Sequence, residues 1–178
     1  MINTLNFKNI TFDKVIFIGD IHGEFELLLW TIKQDSNHFR DTIIIILGDC
    51  GIGFYKEQYY IDLFNKINIT CNEINTTVIM FRGNHDDPSY FDGNHLNFSN
   101  IKVIPDYTII KTDDNNILCV GGGLSIDRIP RKQKEYKLNR FKSVNKGQKL
   151  YWENELPIYD ENKLNEIRDN NIVIDVMA

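Results

Sequence analysis

Residues 14–25 read KVIFIGDIHGEF. Val15–Ile18 is an unbroken apolar run, as found in strands buried on both faces of a parallel sheet. It stops at Gly19-Asp20-Ile21-His22-Gly23, which sets a carboxylate and an imidazole two residues apart between glycines. Glycine removes Cβ bulk and opens backbone angles closed to other residues, so both side chains are free to turn toward one point. Beyond it, Phe25, Leu28, Leu29 and Ile32 recur at helical spacing and predict an amphipathic helix. A strand, a polar glycine turn and a helix in that order indicate an α/β protein.

The pattern recurs along the chain. Thr42–Leu47 runs into GDCG (48–51), and Thr77–Phe81 runs into RGNHD (82–86). Tyr60, Leu63, Phe64 and Ile67 predict the helix between them. Further strands are expected at Ile101–Ile104, Tyr107–Lys111, Ile117–Val120 and Ile172–Val176. IKVIPDYTIIK (101–111) reads as two strands about a Pro105-Asp106 turn, an antiparallel or edge element. Asp160 is placed to cap a last helix over ENKLNEIRD (161–169). Repeats, low-complexity linkers and a domain boundary are all lacking, so residues 1–178 are expected to form a single domain.

Composition narrows the function classes. The longest apolar run, Ile43–Leu47, is far short of the roughly 20 residues that span a bilayer. The N-terminus has no basic stretch followed by an apolar one, so a secretory signal is not expected. Cys50, Cys71 and Cys119 are widely spaced, which fits reduced thiols in a cytoplasmic protein. A net charge of −5 disfavours nucleic acid as a general partner. Residues 128–149 nevertheless hold nine Lys or Arg against one acid, Glu135. This segment reads as a solvated loop, with a local positive field for an anionic substrate as the alternative.

Parallel strands bring their carboxyl ends to one edge of a sheet, where ligands bind. Asp20, His22, Asp49, Asn84 and His85 are therefore expected to converge. Carboxylate and amide oxygen with imidazole nitrogen suit divalent Mn, Fe or Zn, and the lack of paired cysteines argues against a structural zinc. Gly93-Asn94-His95 repeats the GNH tripeptide without a preceding strand, so His95, like His38, reads as a loop residue. Cys50 reads as a small strand-end filler and not a ligand.

The ordered set GDIHG, GDCG and RGNHD resembles the calcineurin-like metallophosphoesterase superfamily, in its bacterial or phage-type protein Ser/Thr phosphatase-like branch. The resemblance runs from about Lys14 to the end of the chain and includes the glycine-bearing CVGGGLS (119–125). It implies a four-layer α/β/β/α sandwich with a two-metal centre, Mn favoured. Asp20 and His22 would bind the first metal, Asp49 would bridge both, and Asn84 would bind the second. His85 matches the catalytic histidine, with Asp86 as the acid that orients it. The implied reaction is hydrolysis of a phosphate ester by a metal-bridging hydroxide, with His85 protonating the leaving oxygen and Arg82 holding a phosphate oxygen.

Two departures qualify what the resemblance implies. GDCGIGFYKEQ (48–58) lacks the arginine of the GDxVDRG pattern of protein Ser/Thr phosphatases, leaving Arg128 or Arg131 to supply that charge. No histidine follows His95, whereas the family carries three more, so the sequence is expected to be the N-terminal part of a longer catalytic domain. The second metal would keep only Asp49 and Asn84, with weak binding and little activity. Substrates in view are a phosphorylated small molecule, a phosphoprotein or a nucleotide. A non-catalytic scaffold and a nuclease are the rival readings.

Overall fold

The computed structural model describes residues 1–8, 12–140 and 149–178. Its strands are β1 (Asn3–Asn6), β2 (Lys14–Ile18), β3 (Thr42–Leu47), β4 (Thr77–Phe81), β5 (Ile101–Val103), β6 (Thr108–Lys111), β7 (Asn116–Cys119) and β8 (Val176–Met177). They form two four-stranded sheets, ordered β2-β3-β4-β5 and β1-β6-β7-β8. The helices are α1 (Phe25–Gln34), α2 (Ser36–Phe39), α3 (Glu57–Glu73), α4 (Arg128–Arg140) and α5 (Glu161–Asp169).

The period-2 alternation of side chains sorts one strand's residues into two cores. Ile44 and Ile46 of β3 join Phe25, Leu28 and Ile32 of α1 and Tyr60, Leu63, Phe64 and Ile67 of α3. Ile43 and Ile45 face the other way, packing with Ile79, Ile110, Ile117 and Cys119 between the sheets. Ile109 and Leu118 turn outward to meet Ile167, with Leu164 packed alongside, on α5. These three apolar interfaces define helix, sheet, sheet and helix layers, as expected. The predicted apolar stripe of α3 is wholly buried, and that of α1 is buried except for partly covered Leu29.

Register aligns the chemistry-bearing loops. All pairs in the β2–β5 sheet are parallel, with Ile18 beside Ile46 and Leu47 beside Phe81. The three strands thus end level, and residues 19–23, 48–53 and 82–86 emerge side by side.

Several elements differ from expectation. β5 and β6 do not pair with each other: β5 lies at the edge of one sheet, parallel to β4, while β6 belongs to the other sheet. The Pro105-Asp106 turn therefore carries the chain between layers. β1 was missed because Asn-Thr-Leu-Asn has no apolar run; it adds to β6 as a parallel edge strand. The last strand begins only at Val176, because Ile172 N–H closes the end of α5 onto the Ile167 carbonyl. The basic segment is helical over Arg128–Arg140 and not a loop; Lys142 and Lys146 lie outside the described residues. Arg131 is its one buried residue among those described, so the helix has no apolar stripe to read. His38 sits in α2, and His95 in a turn where its Nδ1 is 2.9 Å from Asp92. No helix among the described residues is long and apolar enough to cross a membrane.

Ile45, fully buried between the sheets, tests the sandwich. Ile45→Ala is expected to lower unfolding stability by about 2–5 kcal/mol in a urea titration. A loss below about 1 kcal/mol, the range of surface substitutions, would contradict the packing described.

Candidate metal centre

The loop after β2 and the loop after β3 are laced backbone to backbone. His22 N–H donates to the Asp49 carbonyl (2.9 Å) and Gly23 N–H to the Cys50 carbonyl (2.8 Å). Gly51 and Gly23 meet so closely that a Cβ on Gly51 would stand 2.3 Å from Gly23 N. His22 and Asp49 both hold left-handed backbone angles, φ 43° and 44°. Such angles cost a non-glycine residue about 1–2 kcal/mol, and the lacing keeps them in place.

The result is one corner of donors. One ligand atom from each of Asp20, His22 and Asp49 lies within 4.8 Å of the others. His22 Nε2 is 3.7 Å from Asp20 Oδ2, and both side chains remain half exposed. Asp49 also accepts from the His85 backbone N–H (2.9 Å), which joins the third loop to the corner. The His85 ring stands edge-on to His22, centroids 5.0 Å apart. Gly83 is built around this carboxylate: a Cβ there would lie 2.1 Å from Asp49 Oδ1. Two carboxylates and an imidazole, gathered and partly open, fit a divalent ion of the Mn, Fe or Zn type.

Asp86 lies beneath, fully buried. Its Oδ1 accepts from Gly51 and Ile52 (2.7 and 2.9 Å), and its Oδ2 from Cys50 and Gly83 (3.0 and 2.7 Å). Burial pushes its pKa up to about 6, against the pull of those N–H donors. The role implied for Asp86 was to orient His85, but both its oxygens are engaged by backbone. The carboxylate facing His85 Nε2 is that of Asp127, 3.9 Å away. Burial first, and the Arg131 guanidinium second, hold the His85 imidazole below the usual histidine range. Cys50 is a buried thiol, raised well above its ordinary pKa by burial and the neighbouring acids, consistent with a filler.

Arg82 is not free to hold a phosphate. It is buried, with Nε and Nη2 on Asp106 and the remaining N–H groups on the carbonyls of Asn154, Glu155 and Leu156. A guanidinium has five donors, and these contacts engage all of its nitrogens. Arg131 is similarly held, by Asp127, the Asn84 and Leu150 carbonyls, Ser125 and Glu155. Asn84 donates its side-chain amide to Ser125 Oγ (2.8 Å), and Ser125 in turn donates to Glu155 (2.5 Å). Arg128, one residue after Asp127, is exposed.

The sequence reading missed Asp127, Ser125 and Glu155. The available signal was the glycine-bearing end of β7, GGGLSID (121–127); the buried acid in YWENEL (151–156) carries none. Tyr60 was read only as a core residue. Its hydroxyl also donates to the Gly51 carbonyl (2.9 Å) and accepts from Gly53 and Tyr55 N–H (2.9 and 3.2 Å).

The family model of calcineurin-like phosphoesterases matches residues 13–177, and the chain belongs to that family. No curated protein matches. Among solved structures, a cold-active protein-tyrosine phosphatase of a psychrophilic Shewanella species is similar at 18% identity and a TM-score of 0.38. That match covers 99% of this chain and 66% of the other, so the chain spans just under two thirds of that relative's length.

Gly83→Ala offers a test of the corner. The added methyl displaces Asp49, and Mn²⁺ affinity measured by calorimetry is expected to fall about 10–100-fold, with the far-UV spectrum unchanged. Unaltered affinity would remove Asp49 from the ligand set.

Proposed function

We propose that this protein is a metal-dependent phosphoesterase, hydrolysing a phosphate ester with water as the nucleophile. The observation carrying the proposal is the convergence of Asp20, His22 and Asp49 within 4.8 Å, beside an imidazole from a third loop. Divalent cations bound there would clamp the phosphate and make a water acidic enough to ionise near neutral pH.

The protein's own groups do the rest. Asp20, His22 and Asp49 would hold a first cation, with Mn²⁺ our choice among the ions that suit this set. Asp49 and Asn84 would serve a second. His85 gives a proton to the leaving oxygen, a contribution of about 10²–10⁴ in rate. Asp127 takes the orienting role, and Arg131 keeps Asp127 in place through a 3.1 Å contact to Oδ1. Arg128, exposed in the same turn, is the basic residue we place toward a phosphate oxygen. Three free, buried thiols suit the reducing cytoplasm.

Two measurements test this. Titration with Mn²⁺ is expected to give one tightly bound ion per chain, lost in Asp49→Asn; two tight ions would refute the ligand assignment. Hydrolysis of phenyl phosphate with Mn²⁺ should fall about 10²–10⁴-fold in His85→Ala. Activity that survives Asp49→Asn would end the metal-dependent reading.

A further inference from the structure

We infer that the cleft beside the metal corner receives the leaving group of the ester, and that this group is aromatic, making the substrate an aryl phosphate monoester. The inference rests on the phosphoesterase reading above. The cleft has a volume of about 350 Å³, within the roughly 300–1,000 Å³ of small-molecule sites. His22 and His85 line it together with Glu24, Phe54, Tyr55 and Tyr59. A phosphate held at Asp20, His22 and Asp49, with its ester oxygen toward His85, directs the alcohol portion into this space.

The aromatic part of the lining is built to meet a ring. Tyr55 and Tyr59 are 57% and 38% exposed, with ring centroids 4.7 Å apart and planes tilted by 41°. They stand on buried Tyr60, whose ring lies 6.4 Å from Tyr55 and 5.3 Å from Tyr59. Phe54 is set edge-on against buried Trp152 at 5.0 Å. Aromatic pairs favour offset or edge geometry at centroid separations of about 4.5–7 Å, and a wall already fixed from behind loses little freedom when a third ring joins it.

Charge narrows the class further. Glu24 lines the cleft, and Glu26 and Glu24 both push the Tyr59 phenol above its usual range, behind the effect of burial. Among the described residues, none that lines the cleft is Lys or Arg. This rim repels a second anionic group, so it favours a monoester with an uncharged aryl portion over a polyphosphate or a nucleic-acid strand. In the reaction, water oxygen bonds to phosphorus, shedding a proton to solvent, and the P–O(aryl) bond breaks with its electron pair on the phenolic oxygen. That oxygen takes the proton from His85, and the phenol and inorganic phosphate leave.

The test compares phenyl phosphate with glycerol 2-phosphate on the full chain with Mn²⁺. The intrinsic difference between the two leaving groups cancels when their kcat/KM ratio is compared across variants. That ratio is expected to fall about three- to tenfold in Tyr55→Ala and in Tyr59→Ala, and to be retained in Tyr55→Phe, which keeps the ring. An unchanged ratio in both alanine variants overturns the inference. Calorimetry reads the site without turnover: phenyl phosphate should bind at least about threefold more tightly than inorganic phosphate, and Tyr55→Ala should erase the difference. Equal affinity overturns the aryl site whether or not either ester is hydrolysed. Tighter binding of phenyl phosphate with hydrolysis of neither ester supports the aryl site and sinks the phosphoesterase reading instead. Displacement of phenyl phosphate by an equimolar single-stranded oligonucleotide would also count against it.

Discussion

The site depends on one buried carboxylate. Asp86 gathers the N–H groups of Cys50, Gly51, Ile52 and Gly83, so a single side chain fixes the loops after β3 and β4 relative to each other. An unpartnered buried N–H costs about 1–3 kcal/mol, and four of them would make these turns untenable. The loop after β2 is joined to the same assembly through the His22 and Gly23 N–H groups. The candidate metal corner is thus held by main-chain geometry beneath it, while the Asp20 and His22 side chains stay half exposed.

Two arginines divide the structural work. Arg82 and Asp106 tie the third loop to the crossover between the sheets, while Arg82 also donates to the carbonyls of residues 154–156. Arg131 does the same for α4, bringing Asp127 toward His85 and reaching Asn84 through its carbonyl. Both guanidiniums are buried and paired with acids, although the Arg131 charge still acts on the His85 imidazole. What reads in the sequence as a basic segment is, at its buried point, an internal strut.

The sequence was most legible where one residue type answers to one physical demand. Apolar runs at Val15–Ile18, Thr42–Leu47 and Thr77–Phe81 announced the central parallel strands, and the level register of their ends made Asp20, His22 and Asp49 converge. Asp160 capped its helix as read, accepting from Lys163 N–H. Legibility failed where tertiary pairing overrides local pattern. The strands about Pro105-Asp106 look like a hairpin but separate into two sheets, because each has a better partner elsewhere. α4 hides its buried face in an arginine. Asp86 was seen, but a residue adjacent to His85 in sequence points into the protein while Asp127, 42 positions later, faces the imidazole.

The loop after β3 is anchored twice, and the anchors meet at Gly51, whose N–H goes to Asp86 and whose carbonyl accepts from the Tyr60 hydroxyl. Residues 50–52 hang from Asp86, whereas Gly53 and Tyr55 hang from the Tyr60 hydroxyl, which burial keeps protonated by raising its pKa to about 12. The half beside the candidate metal corner therefore rests mainly on Asp86 and the half that carries the aromatic wall on Tyr60, with Gly51 shared between them. Within that outer half Gly53 is itself constrained, with a φ of 111° and a Cβ position 2.4 Å from the Asp87 side chain, whereas the Tyr55 and Tyr59 side chains are exposed. Substitution at Tyr55 or Tyr59 would therefore reshape the aromatic wall without touching the backbone that Asp86 holds.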